Sequence, residues 1–123
     1  MRRPLRTAAV AVLLALALTG CDVMQRISEG AYRNAVADGT VAELDRRGIA
    51  MDRRPDCRLD EPLTDATVMI RCTGHTAAGA RVAVYGETER ADTRRPREEY
   101  EIRVDGRAPI RTTCLGVSCG TAR

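Results

Sequence analysis

The sequence has 123 residues, and 20 arginines without any lysine stand against 17 acidic residues, for a formal net charge of +3. Three arginines in the first seven residues account for that excess, because 17 arginines and 17 acidic residues remain from residue 21 onward. A balanced mature chain has no one-sign field for phosphate, so nucleic-acid binding driven by net charge is excluded. Three tyrosines are the only aromatic residues, which argues against recognition of glycans or bases by stacking.

The N-terminus has the pattern of an export signal. Arg2, Arg3 and Arg6 precede an apolar run of eleven residues at positions 8–18. At about 1.5 Å per residue this run reaches roughly 16 Å, about half of a bilayer's hydrocarbon core. It therefore predicts a signal peptide at residues 1–20 rather than a permanent transmembrane helix.

The signal ends in Leu18-Thr19-Gly20-Cys21. An aliphatic residue, two small residues and a cysteine resemble the lipobox of bacterial lipoproteins. The resemblance implies cleavage before Cys21, acylation of its thiol with chains such as palmitate, and anchoring at the extracytoplasmic face of the cell membrane. More than one acyl chain makes such an anchor stable, at about 0.8 kcal/mol per buried CH₂. The alternative is an ordinary secretory signal with a chance cysteine.

The segment after the anchor predicts one helix. Residues 21–38 are expected to form the anchor and a tether or weak helix, since their apolar face is thin, and the folded domain is expected at residues 39–123. The run from Thr40 to Glu43 fits a capping box, and Gly48 suits a left-handed C-terminal cap, which predicts a helix of about two turns. So short a helix has to pack on other structure.

From residue 67 the apolar pattern changes to a period of two. Alternation at residues 67–72, 82–87 and 100–104 predicts three strands. Asp105-Gly106 predicts a two-residue hairpin turn that leads into a returning strand. The expected fold class is α+β, with a short N-terminal helix packed on an antiparallel sheet of about four strands.

The sequence also predicts which parts of this sheet lie at an edge or are exposed. Pro109 lies in the returning strand, at residues 108–112, and marks it as an edge strand because proline cannot donate a backbone hydrogen bond. Residues 88–97 are dense in charge and predict an exposed loop. Glu98, Glu99 and Glu101 are expected to solvate a strand edge.

Lipid on Cys21 leaves Cys57, Cys72, Cys114 and Cys119, an even number that suits disulfides in an oxidising compartment. Four cysteines allow three pairings. We favour Cys57 with Cys72 and Cys114 with Cys119, because each pair is close in sequence and lies at the edge of a predicted element. A disulfide that closes a loop of about 15 residues stabilises a fold by roughly 3 kcal/mol, which matters in a chain without Phe or Trp.

A set of glycines, apolar residues and cysteines resembles the small two-cysteine domains of unknown function in exported lipoproteins of GC-rich Gram-positive bacteria. The set consists of Gly48, Ile49, Cys57, Cys72, Gly74, Gly79, Val82 and Val84. The resemblance covers about half of the mature chain and implies no activity. The second pair, Cys114 and Cys119, departs from the pattern.

Catalytic and metal chemistry have few candidates. Cys72-x-x-His75 with Cys114 and Cys119 has the ligand types of a tetrahedral zinc site, and the alternative, which we favour, is two disulfides and a loop histidine. A Cys72/His75 nucleophile would need a free thiolate held by the imidazole. The common hydrolase, metalloprotease and nucleotide-binding motifs are absent from the sequence, so we expect no cofactor.

These observations favour a non-catalytic, membrane-anchored accessory or interaction domain that contacts another protein of the cell envelope. The sheet edge near Pro109 and the loop at residues 88–97 are the candidate contact surfaces. The alternative is a small envelope enzyme or enzyme inhibitor whose site is built from scattered polar residues. A deep pocket that joins His75 to two or more acids would favour the alternative.

Overall fold

The structure is a computed structural model that describes residues 29–61, 63–64, 66–115 and 119. The chain divides into two compact units, residues 1–32 and 33–123. The predicted signal peptide and Cys21 lie outside the described residues. Within the described part, no helix has the length and apolar character needed to cross a membrane.

The helix α1 includes residues 29–46 and is longer than the sequence pattern predicts. Thr40 lies in its interior, where the buried hydroxyl donates a 2.8 Å hydrogen bond to the Val36 carbonyl oxygen. The N-cap prediction at Thr40 is therefore wrong. Val36, Thr40 and Leu44 recur every four residues and are buried, and burial of this face outweighs the weak helix propensity of the segment.

The end of α1 follows the prediction. Gly48 adopts a left-handed conformation with a φ of 75°. Its amide donates to the Asp45 carbonyl at 3.0 Å, and the Ile49 amide reaches back to the Leu44 carbonyl at 2.9 Å. These two hydrogen bonds form a Schellman motif, and Ile49 and Leu44 are both buried beside it.

Five strands form one antiparallel sheet in chain order. The bounds are Asp56–Leu59 (β1), Thr67–His75 (β2), Arg81–Glu89 (β3), Arg97–Val104 (β4) and Ile110–Thr112 (β5). The predicted α+β class, a helix on an antiparallel sheet, is confirmed. The additional strand is β1, whose four residues are too few for an alternating pattern to stand out in the sequence.

One disulfide joins the edge strand β1 to β2, and the other lies after the opposite edge strand, β5. Cys57 of β1 lies directly opposite Cys72 of β2 in the register, and a disulfide joins them with their Cα atoms 4.0 Å apart. Cys114, just after β5, is bonded to Cys119. This is the connectivity that the sequence favours. Since both bonds are formed, no cysteine among the described residues keeps a free thiol.

The connection between β4 and β5 differs from the predicted hairpin. The last pair of the β4–β5 ladder is Ile102 with Ile110, and five residues, 105–109, connect the two strands instead of two. Asp105-Gly106 does form a turn, closed by a 3.0 Å hydrogen bond from the Arg107 amide to the Val104 carbonyl. The hairpin is wider because β4 continues to pair with β3 beyond Ile102, and Pro109 cannot extend the ladder with β5.

The core lies between α1 and one face of the sheet. A glycine at the centre of the core makes room for Tyr100, the only buried aromatic side chain among the described residues. Tyr100 of β4 is 3% exposed and lies across from Gly86 of β3. A Cβ atom at Gly86 would lie 2.5 Å from the Tyr100 ring and 2.8 Å from Ile70. Glycine at this position is therefore required by the close approach of the ring.

We predict that Gly86→Ala lowers the free energy of unfolding by about 2 kcal/mol, because the added methyl group overpacks the core. Urea denaturation followed by circular dichroism measures this change. Gly30→Ala is the matched control, since its Cβ would meet no atom within 4 Å. Equal stability of the Gly86 variant and the wild type would contradict the close approach.

Candidate functional site

The sheet has one buried face and one face in contact with solvent. Along β3 the residues alternate, with Val82 and Val84 buried and Arg81 and Tyr85 exposed. We call the solvent side of the five strands the open face. Tyr85, at its centre, is 41% exposed and is the one large hydrophobic side chain that is exposed among the described residues.

A row of side chains crosses the open face from β1 to β5. The register places these residues side by side in the order Arg58, Arg71, Tyr85, Glu101 and Arg111. We call them the central row. In the central row, two charged residues therefore lie on each side of a single aromatic ring.

Contacts within the central row fix the position of Tyr85. The Arg71 guanidinium carbon lies 5.4 Å from the centroid of the Tyr85 ring, within the range of a cation–π interaction. The other side of that guanidinium is held by Asp60, with 2.7 Å between Arg71 Nε and Asp60 Oδ2. Arg71 therefore contacts both the Tyr85 ring and the Asp60 carboxylate.

On the other side of Tyr85, Glu101 binds two arginines. Its carboxylate accepts hydrogen bonds from Arg103 and, at 3.2 Å, from Arg111 on β5. These arginines, Arg103 first, hold the pKa of the Glu101 carboxyl below its ordinary value, against a smaller opposing effect of burial. Glu101 therefore remains ionised and links β4 to β5.

Next to Tyr85 the open face has a concave, acidic region of about 660 Å³ lined by Tyr85, Glu87, Glu99, Glu101 and Arg111. Glu87 and Glu99 are directly opposite each other in the register. Within the described part of the chain Glu87 forms no ion pair, and the cation nearest Glu99 is Arg97 at 3.9 Å. Like charges placed directly opposite each other destabilise a sheet. The pair therefore leaves negative charge beside the ring that the domain itself does not neutralise.

The three glutamates predicted to solvate a strand edge are divided between the faces. Glu99 and Glu101 lie on the open face, but Glu98 points to the other face and is half-buried. Burial raises the pKa of the Glu98 carboxyl. The prediction is therefore wrong for Glu98, since the alternation of β4 turns it away from its two neighbours.

A second concave region of about 700 Å³ lies at the end of the sheet where β2 and β3 are connected. It brings His75 together with Asp52, Asp56 and Asp105, in the company of the arginines Arg53, Arg54, Arg81 and Arg103. These residue types could move protons, but His75 and the three aspartates are all exposed to solvent. The region is thus an open surface and does not shield a reaction from water as an enzyme site does.

The zinc or nucleophile set considered from the sequence is not assembled. Cys72 is buried on the helix side of β2 and bonded to Cys57, whereas His75 is exposed on the open face. Cys114 and Cys119 are bonded to each other. In the described ranges no group of three His, Cys, Asp or Glu residues has the arrangement to hold a metal ion.

Comparison of the chain with family models, with curated proteins and with solved structures finds no match. The lipoprotein and two-cysteine resemblances stay predictions. The structure defines a small disulfide-linked α+β domain with an open sheet face.

Sequence reasoning did not single out the open face as a contact surface. It identified Tyr85 only as one of three aromatic residues. The sequence signal for the open face is the set of outward-facing residues of β3. These residues, which alternate with the buried ones, are Arg81, Ala83, Tyr85 and Glu87. The exposed ring of Tyr85 in this set indicates the open face.

We predict that Glu98→Gln raises the free energy of unfolding at pH 7. The pKa of Glu98 is higher in the folded chain than its ordinary value of 4.5, so the folded state binds the proton more tightly. The stability gained from that proton is present below the unfolded pKa and is lost as pH rises through the folded pKa. Removing the ionisable group therefore helps at neutral pH and has little effect below pH 4.5.

Urea unfolding at the two pH values measures this difference. Glu61→Gln is the control, because Glu61 is exposed and unpaired within the described residues, and it should change stability at neither pH. A gain for the Glu98 variant that is independent of pH would contradict a buried carboxylate as its cause.

Proposed function

We propose that the chain is an exported, lipid-anchored and non-catalytic interaction domain that presents the open face to a partner protein of the cell envelope. The lipobox at Cys21 supports the anchor. Two disulfides support an oxidising compartment, where such bonds form and persist.

The observation that carries the proposal is the exposed ring of Tyr85 at the centre of the open face, with the Arg71 guanidinium 5.4 Å from its centroid. Tyrosine and arginine are enriched where interfaces gain most of their binding energy. The strands β2, β3 and β4 have nine, nine and eight residues, but β1 and β5 have only four and three. At about 3.3 Å per residue and about 4.8 Å between strands, the face covers roughly 500 Å². Each partner buries roughly 800 Å² in a stable complex, so the partner would also cover residues around the face.

The charges beside the ring indicate the chemistry of the partner. Glu99 is paired with Arg97 at 3.9 Å, whereas Glu87 directly opposite has no ion pair among the described residues, so a lysine or arginine of the partner would neutralise Glu87. An apolar group next to that cation would cover Tyr85. The proposed partner surface is therefore a basic segment with an apolar residue.

The alternative, an envelope enzyme or inhibitor, has one observation in its favour. The region at the end of the sheet joins His75 to three aspartates. It is open and its acids are exposed, so the geometry favours the interaction domain.

The anchor has a direct test by intact mass of the membrane-extracted protein. We expect acyl chains on residue 21 and a gain of four hydrogens on reduction, two from each disulfide. Cys21→Ser should lose the lipid and leave the membrane fraction when it is washed at about 300 mM salt, which screens surface charge. If the washed variant stays with the bilayer, Cys21 is not the anchor.

The interaction face is tested with a photocrosslinking amino acid at residue 85, and with one at Ala78 in the exposed β2–β3 turn as the matched control. In intact cells we expect a discrete adduct from residue 85 and none from residue 78. The crosslinked partner peptide, identified by mass spectrometry, should contain Lys or Arg.

In the native chain, Tyr85→Ala should weaken binding to the identified partner about 30-fold, as expected for a central interface residue. Glu87→Arg should weaken it through repulsion of the basic segment, without loss of the fold. Adducts that are equal at both positions, or a partner peptide without basic residues, would refute the assignment. If His75→Ala abolishes the activity of the protein in cells but leaves partner binding unchanged, the result would favour the enzyme hypothesis.

A further inference from the structure

The loop between β3 and β4 contains a concentration of unpaired arginines. Fifteen arginines lie in the described residues, and nine of them form ion pairs. Of the six others, three fall within the seven-residue loop 90–96, namely Arg90, Arg94 and Arg95. All three side chains are exposed, although Glu89 and Asp92 are close in sequence.

The backbone of this loop is ordered without help from those arginines. The Thr93 hydroxyl donates to the Arg90 carbonyl at 2.8 Å and accepts from the Arg95 amide at 3.3 Å. The Ala91 amide donates to the Ala66 carbonyl at 3.1 Å, which attaches the loop to the segment before β2. The guanidinium groups are therefore presented on a defined turn and remain free for another ligand.

Arg90 occupies a conformation that suits glycine better. Its φ is 53°, and it is the one residue other than glycine with a positive φ in the described part of the chain. Left-handed backbone is unfavourable for a residue with a Cβ atom. The Arg90 carbonyl accepts hydrogen bonds from the amide and the hydroxyl of Thr93, which hold this backbone conformation. The Arg90 side chain has no ion pair among the described residues and is exposed, so it is free for a role outside the fold.

The position of the loop restricts what it can bind. Glu89 and Arg97 are the last paired residues of the hairpin, so the loop lies beyond the end of the sheet. It lines neither of the concave regions described above. Small-molecule sites are concave, whereas a projecting turn with several cations fits an extended anionic surface.

We propose that loop 90–96 is a second membrane contact, in which Arg90, Arg94 and Arg95 bind the anionic head groups of the bilayer. The guanidinium group suits the phosphates of lipid head groups because its donors match their oxygens in pairs. Residues 89–97 carry four arginines and two acids in a mature chain of zero net charge, so attraction to the bilayer is local to this loop. Together with acyl chains on Cys21, a second contact orients the tethered domain.

The contact is tested without the anchor. The chain from residue 22 onward contains the whole unit 33–123 and lacks the acylated cysteine. It is mixed with vesicles of phosphatidylcholine alone, or of phosphatidylcholine with about 30 mol % phosphatidylglycerol, and the bound fraction is measured by sedimentation. We expect binding to the anionic vesicles only, and its loss at about 300 mM salt.

Two double variants separate the loop from net charge. Arg94→Gln with Arg95→Gln should lower the partition coefficient about 25-fold, which corresponds to about 2 kcal/mol. Arg53→Gln with Arg107→Gln removes the same charge from exposed, unpaired positions outside the loop and should lower it less than about 3-fold. Circular dichroism confirms that both variants are folded.

Three results would overturn the proposal. They are equal binding to both kinds of vesicle, equal losses in the two double variants, and competition by inorganic phosphate at constant ionic strength. The last would assign the arginines to a free phosphate ligand. The vesicle assay involves neither Tyr85 nor a protein partner, so this proposal and the proposed function can fail separately.

Discussion

Two neighbours fix the register of β3, and the rest of the domain depends on that register. β3 pairs along its whole length with β2, and eight of its residues pair with β4. Close contact of Gly86 with Tyr100 and Ile70 fits only this alignment, because any other residue at that position would clash with the ring. A shift by one residue would exchange the faces of the strand and bury Arg81 and Tyr85 in place of the valines.

From that register follow both the core and the surface chemistry. The inward phase of β3 and β4 supplies Val82, Val84 and Ile102 to the core under α1. The outward phase of the same strands places Tyr85 beside Glu101 and sets Glu87 against Glu99. A core without Phe or Trp is small, and the Cys57–Cys72 disulfide, which holds the short edge strand β1 in place, compensates for part of that deficit.

The proposed roles divide the polar residues of the domain into three groups. Arg71 lies against Tyr85, and Glu101 beside it links β4 to β5, on the face proposed to meet a protein partner. Arg90, Arg94 and Arg95 lie in one hairpin loop, have no ion pair within the described residues, and are proposed to bind an anionic surface. The histidine and aspartates at the end of the sheet are exposed and are consistent with a solvated surface.

Features that depend on local chemistry could be predicted from the sequence. These are the lipobox at Cys21 as a prediction, the alternating strands, and the left-handed cap at Gly48. The sequence also favoured the observed disulfides, because the two cysteines of each pair are close in sequence and lie at the edge of a predicted element. The early start of α1, the strand β1 and the wide β4–β5 connection were decided by tertiary structure, since each depends on burial or pairing with distant residues. The same is true of the open face, because only the register across five strands brings Arg71, Tyr85 and Glu101 side by side.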